Sequence, residues 1–199
     1  MFAKKTQPDL SHCIADSHTP MVAAARKIKE SEPDARVVFI GPCVAKKLEA
    51  LETEVRPYVD YVITFEELMG IFSACNIELN DLEEDELQTL ASRDGRNYAI
   101  SGGVAQAVIN CIHHRYPDRE VLSMQADSLH DCKKMLQLAK AGKTPGYLLE
   151  GMACLGGCVG GPGTLTMIQR AGNSVKAFAQ ISPYPTANDS PIVMATRKE

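Results

Sequence analysis

Cys154 and Cys158, separated by three residues in Gly151-Met152-Ala153-Cys154-Leu155-Gly156-Gly157-Cys158-Val159-Gly160-Gly161-Pro162-Gly163, are the first residues able to do chemistry. Two thiolates at this spacing can converge on one centre. The surrounding glycines let the backbone wrap closely and turn N–H groups inward toward sulfur or other anionic groups. A phosphate cradle is the rival reading of any glycine-rich loop, but no Lys-Ser/Thr follows these glycines as a P-loop requires. A structural zinc site is the other alternative. Zinc more often uses CxxC with a matching second pair, and that second pair is missing here.

A second candidate is Gly41-Pro42-Cys43-Val44-Ala45-Lys46-Lys47-Leu48-Glu49. A thiol between a strand end and a helix start has its thiolate favoured by the helix dipole and by nearby ammonium groups. Lys46, three residues on from Cys43, lies about one turn away and could face the same centre. The alternative makes Lys46, Lys47 and Glu49 a solvated helix face.

The chain holds seven cysteines, an odd number that suits a disulfide scaffold poorly. Cys75 lies among apolar neighbours, Cys111 shares a helical apolar face with Val104 and Val108, and Cys132 falls near a helix start. All three read as small buried side chains. Cys13 reads as a packing or surface thiol. His113 and His114 end a helix, where a cation helps the dipole, and His12, His18 and His130 are singletons with no ligand role.

The elements that must position these groups alternate between helix and strand. Thr19-Pro20 opens a helix over 21–29, and Glu32-Pro33-Asp34 ends it. Arg36 to Ile40 is a buried strand running into Gly41-Pro42-Cys43, and a short helix starts near Val44. Tyr61 to Thr64 is another buried strand, with Thr64 and Glu67 capping a helix from Phe65 to about Cys75. Residues 78–97 are polar and read as a surface excursion with a turn at Asp94-Gly95. Ser101-Gly102-Gly103 opens a helix to His113. A strand at 120–124, a helix at 129–141 and a strand at 147–149 then lead into the glycine-rich loop. This order predicts an α/β fold with the cysteine motifs in loops at strand ends. A main domain over residues 1–180 and an extended or flexible tail over 181–199 complete the expected organisation.

With 199 residues, 45% apolar and 23% charged, the chain is neither disordered nor too short for a core. Its net charge of -4 provides no basic stripe for nucleic acid. Its longest aliphatic runs are far too short for a bilayer, and residues 1–20 lack the continuous apolar core of a signal peptide. A cytoplasmic location, with neither membrane nor nucleic acid as partner, is expected.

The residues around Cys43 resemble the "MPCxxKxxE" motif of the iron-only (FeFe) hydrogenases, with Gly41 in place of Met. Met152 to Gly161 resembles their "MACxGGCxxGG" motif, and Ser101-Gly102-Gly103-Val104 resembles the "TGGV" segment in the expected order. The likeness spans about residues 8–165. It implies the C-terminal part of an iron-hydrogenase domain, belonging to anaerobic redox metabolism. On that resemblance, Cys43, Cys154 and Cys158 are three of the four cysteines holding a 4Fe-4S cluster with an attached di-iron subcluster, the H-cluster. Cys158 would bridge the two parts, Lys46 would donate to a cyanide ligand, Met152 would pack beside the di-iron unit, and Glu49 matches a proton-route glutamate. Ser101, Gly102, Gly156 and Gly157 would shape the pocket. Thiolates suit iron, and second-shell donors tune its potential.

There are departures as well. The family's "TSCCP" motif, with the fourth cubane cysteine, does not occur, and the resemblance places it upstream of Met1. Ala15 stands where catalytic members usually carry a proton-path serine, and Met21-Val22 replaces typical glutamines. The implied function is therefore the cluster-binding part of a hydrogenase-like protein. Implied partners are maturation proteins and either an electron carrier such as ferredoxin or an appended sensory domain. A hydrogen-sensing domain and a 4Fe-4S assembly factor are the alternatives.

Overall fold

The computed structural model describes residues 2–83 and 90–196, with backbone alone for 194–196. The chain divides into two compact units, one of Met1–Leu82 with Gly161–Leu165, the other of Glu83–Gly160 with Thr166–Glu199. The sequence predicts one main domain over residues 1–180.

The first unit runs α1 (Phe2–Thr6), a 3-10 turn (Pro8–Cys13), α2 (Pro20–Ser31), β1 (Val38–Ile40), α3 (Ala45–Glu49), β2 (Tyr61–Ile63) and α4 (Phe65–Ala74). Pro20 opens α2, where its missing N–H costs nothing. Met21, Val22 and Ala25 recur at helical spacing on one face and are buried with Val37, Ala50, Val55 and Val59. Strands β1 and β2 pair in parallel, Phe39 opposite Val62. Asp60 fastens their entrance: its Oδ2 accepts the Val37 N–H at 2.8 Å, and its carboxylate also meets Arg36 and Lys29. The expected capping box is present, with the Glu67 N–H donating to Thr64 Oγ1 and the Thr64 N–H to Glu67 Oε2.

The second unit runs α5 (Arg93–Arg96), α6 (Gly103–Arg115), β3 (Ser123–Asp127), α7 (Leu129–Lys140), β4 (Leu148–Met152), a 3-10 turn (Cys158–Gly160), α8 (Ile168–Gln180), a 3-10 turn (Ala187–Asp189) and α9 (Pro191–Thr196). Strands β3 and β4 are parallel in the register Ser123 to Leu148 through Asp127 to Met152. Helix α7 is the crossover between them and lays Cys132 and Met135 over Gly151, where an added Cβ would lie 3.1 Å from the Cys132 sulfur. The alternation of helices and short parallel strands is the expected α/β class. Both cysteine motifs follow the carboxyl end of a strand, Cys43 after β1 and Cys154 after β4.

Several expectations need correction. The strands are not fully buried: Val38 and Ile40 are 45% and 44% exposed, because a two-stranded parallel sheet leaves a face uncovered. Cys75 is exposed at the end of α4 rather than packed. Strands β3 and β4 each run farther toward their carboxyl ends than composition suggested. Asp127 and Glu150 lie within the ladders, and their carboxylates accept backbone N–H groups from outside the sheet. The supposed surface turn at Asp94-Gly95 is helix α5, with Asp94 and Arg96 buried. Asn110 Nδ2 donates to both oxygens of Asp94, and Arg96 donates to the Phe178 carbonyl at 2.8 Å while stacking over its ring. Residues 84–89 of that predicted excursion lie outside the described residues. The segment expected to trail away after Ala179 folds back instead. Ser182 Oγ donates to the Ala91 carbonyl and Ser190 Oγ to the Leu90 carbonyl, and Thr186 and Asp189 form a capping box. Ser182 and Ser190 here satisfy backbone carbonyls at a buried seam. Among the described residues no helix is long and apolar enough to cross a membrane.

Candidate metal centre

Strand β4 ends at Met152, so the Cys154–Cys158 loop begins almost directly from the ladder. The loop folds as two successive turns, the Gly157 N–H donating to the Cys154 carbonyl and the Gly160 N–H to the Gly157 carbonyl, both at 3.0 Å. Gly156 and Gly157 hold φ of +74° and +95°, backbone that side chains rarely adopt. At Gly157 the need for glycine is steric too, because a Cβ would lie 2.6 Å from the Ser101 nitrogen and 2.7 Å from the Ala99 carbonyl oxygen. Close approach is thus built in: the Ser101 N–H donates to the Gly156 carbonyl at 3.0 Å. On the other side of the same residue, the Gly156 N–H donates to Asp127 Oδ2 at 2.8 Å.

Ser101 and Gly102 are themselves fixed. Gly102 has φ +87° and begins α6, and its N–H donates to Glu150 Oε1 at 2.7 Å, while the Ala105 N–H donates to Oε2 at 2.6 Å. The buried carboxylate of Glu150 therefore satisfies two of the amides that a helix N-terminus leaves without an intrahelical acceptor.

Cys154 is half-buried and Cys158 exposed, so neither thiol is sealed in the core. Cys132 is sealed: it donates to the Met152 carbonyl at 3.4 Å, and burial pushes its thiol pKa upward. Packing is its role, as expected. Cys111 is half-buried and accepts from Asn188 Nδ2 at 3.6 Å.

The first unit presents Cys43, half-buried, two residues before the five-residue helix α3. Lys46 Nζ is 2.7 Å from Glu49 Oε2, and Thr19 Oγ1 donates to Glu49 Oε1 at 2.5 Å. Lys47 pairs with Glu67. Both ammonium groups expected beside Cys43 thus meet carboxylates, and Thr19 spends its hydroxyl on Glu49 instead of capping α2.

Of the residues singled out from sequence, the second unit brings Ser101, Gly102, Cys154, Gly156, Gly157 and Cys158 onto two touching loops, with Met152 at the end of β4. In the first unit, Lys46 and Glu49 meet on α3, and Cys43 precedes that helix by two residues. Among the described residues no three His, Cys, Asp or Glu side chains are gathered as a ligand set. The donor chemistry of the loop, two thiols outside the core on a glycine turn, nevertheless fits an iron–sulfur group. Sequence reasoning missed Thr19, Asp127 and Glu150. A lone acid in Tyr147-Leu148-Leu149-Glu150 was a usable signal; Asp127, next to a capping Ser128, reads as a turn.

A parallel α/β scaffold thus carries the thiol-bearing glycine loop at a strand end. The family described as "iron only hydrogenase large subunit, C-terminal domain" matches residues 1–162, and the chain belongs to it. The chain is 26% identical over 181 aligned positions to the periplasmic [Fe] hydrogenase large subunit of Nitratidesulfovibrio vulgaris, covering 72% of this chain and 42% of that protein. It is 28% identical to the NADP-reducing hydrogenase subunit HndD of Solidesulfovibrio fructosivorans, covering 64% and 27%. It is 26% identical to the cytosolic Fe-S cluster assembly factor NAR1 of Kluyveromyces lactis, covering 63% and 29%. The chain thus spans less than half the length of these relatives. An apo [FeFe]-hydrogenase HydA1 variant from Chlamydomonas reinhardtii shares the fold with a TM-score of 0.73 at 18% identity, over 99% of this chain and 68% of that one.

Proposed function

We propose that this chain is the cluster-binding part of an iron-only hydrogenase-like protein, with Cys43, Cys154 and Cys158 as iron ligands. The observation that carries the reading is the Cys154–Cys158 loop, whose left-handed glycines and clamped Gly156 peptide hold two thiols outside the core at a strand end. A preset loop loses little conformational freedom when it binds. When bound, an H-cluster supplies the redox centre at which two protons and two electrons combine to H2.

The chain's own residues divide the remaining work. Met152 fixes the start of the loop at the end of β4. Gly156 and Gly157 allow the turn, and Ser101 and Gly102 form the wall behind it. Lys46 offers an ammonium for an anionic ligand once it leaves Glu49, and Glu49 with Thr19 can hold or pass a proton at its carboxylate oxygens. The fourth cubane thiolate has no counterpart motif in this sequence.

A second reading is favoured by the likeness to the assembly factor NAR1: a domain that holds a cubane and makes no hydrogen. In either case the partners are maturation proteins and an electron carrier such as ferredoxin, or a sensory domain in its place, and the location is the cytoplasm. Infrared spectroscopy of protein matured anaerobically with the cluster-building enzymes separates the two. Carbonyl and cyanide stretching bands support the hydrogenase reading. A cubane EPR signal without those bands overturns it for the assembly reading.

A further inference from the structure

The Gly156 peptide is gripped from both sides by groups outside the cysteine motif. Its N–H donates to Asp127 Oδ2 at 2.8 Å from the end of β3, and its carbonyl accepts the Ser101 N–H at 3.0 Å. Ser101 is held in turn because Glu150 on β4 binds the next amide, Gly102, and Ala105 one turn into α6. Asp127 and Glu150 sit two ladder positions apart on paired strands, Asp127 opposite Met152 and Glu150 opposite Gln125. The two carboxylates therefore anchor both loops to one rigid sheet.

Neither carboxylate belongs to the thiol set, and neither is needed to build the ladder, whose bonds are backbone. Each instead takes up amides that the loop conformation leaves without a backbone acceptor. Gly156 is midway in sequence between Cys154 and Cys158, so fixing its peptide restrains the backbone that carries both thiols. A charged acceptor makes a shorter, stronger hydrogen bond to an N–H than a neutral one does.

From this geometry we infer that Asp127 and Glu150 are positioning residues that preset the Cys154–Cys158 loop in its ligand-ready form before any metal arrives. This deepens the cluster-binding reading and rests on it for the identity of the group received. Asp127 acts directly on the loop and Glu150 acts through Ser101.

The test begins with the metal-free full chain, by amide hydrogen exchange at Gly156. Asp127→Ala removes the acceptor and should speed that exchange about tenfold, the change that one hydrogen bond of ordinary net strength corresponds to. Asp127→Asn keeps a neutral acceptor oxygen and should exchange more slowly than Asp127→Ala, which separates loop holding from general damage to the fold. Glu150→Gln retains a single acceptor oxygen and should speed exchange at Gly102 or Ala105 by a similar factor. Ferrous iron and sulfide are then supplied anaerobically, and the visible sulfur-to-iron absorption is read in the same proteins. Weaker binding in Asp127→Ala, recovered in part in Asp127→Asn, supports the inference. Gly156 exchange that is equal in wild type and Asp127→Ala overturns it, whatever the iron content. Faster exchange in Asp127→Ala with no iron taken up by wild type upholds the clamp and overturns the cluster reading alone.

Discussion

Replacing Gly157 by alanine tests the loop's construction at its tightest point. The residue sits at φ +95°, where a side chain costs about 1–2 kcal/mol. The new Cβ would lie 2.6 Å from the Ser101 nitrogen, 2.7 Å from the Ala99 oxygen and 2.9 Å from the Ile100 carbonyl carbon. All three are backbone atoms, so no flexible side chain can move aside. Relief requires the two loops to part, which breaks the Ser101 N–H to Gly156 carbonyl bond, worth about 1 kcal/mol. With residual strain of about 1 kcal/mol, the expected loss is about 3–4 kcal/mol. Gly172 in α8 is the control, since a Cβ there meets nothing within 4 Å. Gly172→Ala should stabilise by about 0.5–1 kcal/mol, as expected for a helix interior. The chain has no tryptophan, so urea unfolding followed by circular dichroism is the assay. A Gly157→Ala midpoint equal to wild type would refute the close approach of the two loops.

Other consequences reach beyond the loop. The Asp60 carboxyl is held down to about 2 against an ordinary 3.8, chiefly by the Val37 N–H and then by Arg36 and Lys29. Its contribution to stability is therefore complete above about pH 4 and is lost as pH falls toward 2. Acid unfolding of the first unit should lose part of its pH dependence in this window in Asp60→Asn, and an unchanged profile would contradict the assignment. Iodoacetamide should alkylate the exposed Cys13 and Cys75 rapidly and Cys132 only after unfolding, as mass spectrometry of the labelled peptides would reveal. Cys75→Ala should change stability by no more than about 0.5 kcal/mol, a surface value, where packing would have cost more.

The parts of this molecule that were legible in its sequence are those governed by local rules. The Thr64 and Glu67 capping box, Pro20 at the start of α2 and the strand-end positions of Cys43 and Cys154 needed only neighbours a few residues apart. The family followed from two long motifs. What was hidden depends on partners distant in the chain. Asp94 and Arg96 read as a polar turn until Asn110 and Phe178 receive them, and Ser182 and Ser190 read as tail until they meet residues 90 and 91. Exposure of Val38 and Ile40 was equally illegible, because an apolar run specifies a strand without saying how many sheets or helices cover it. At the candidate site, the thiols and glycines were visible by type, whereas Thr19, Asp127 and Glu150 act through backbone or side-chain bonds that only folding creates.

The central claim is that Cys43, Cys154 and Cys158 hold iron, and it is met most directly by counting iron and acid-labile sulfide per chain after anaerobic reconstitution. Alanine at each of these three positions should lower both quantities sharply, while Cys13→Ala and Cys75→Ala should leave them at the wild-type level. Equal loading in all five variants, or no iron bound by the wild-type chain, would contradict it.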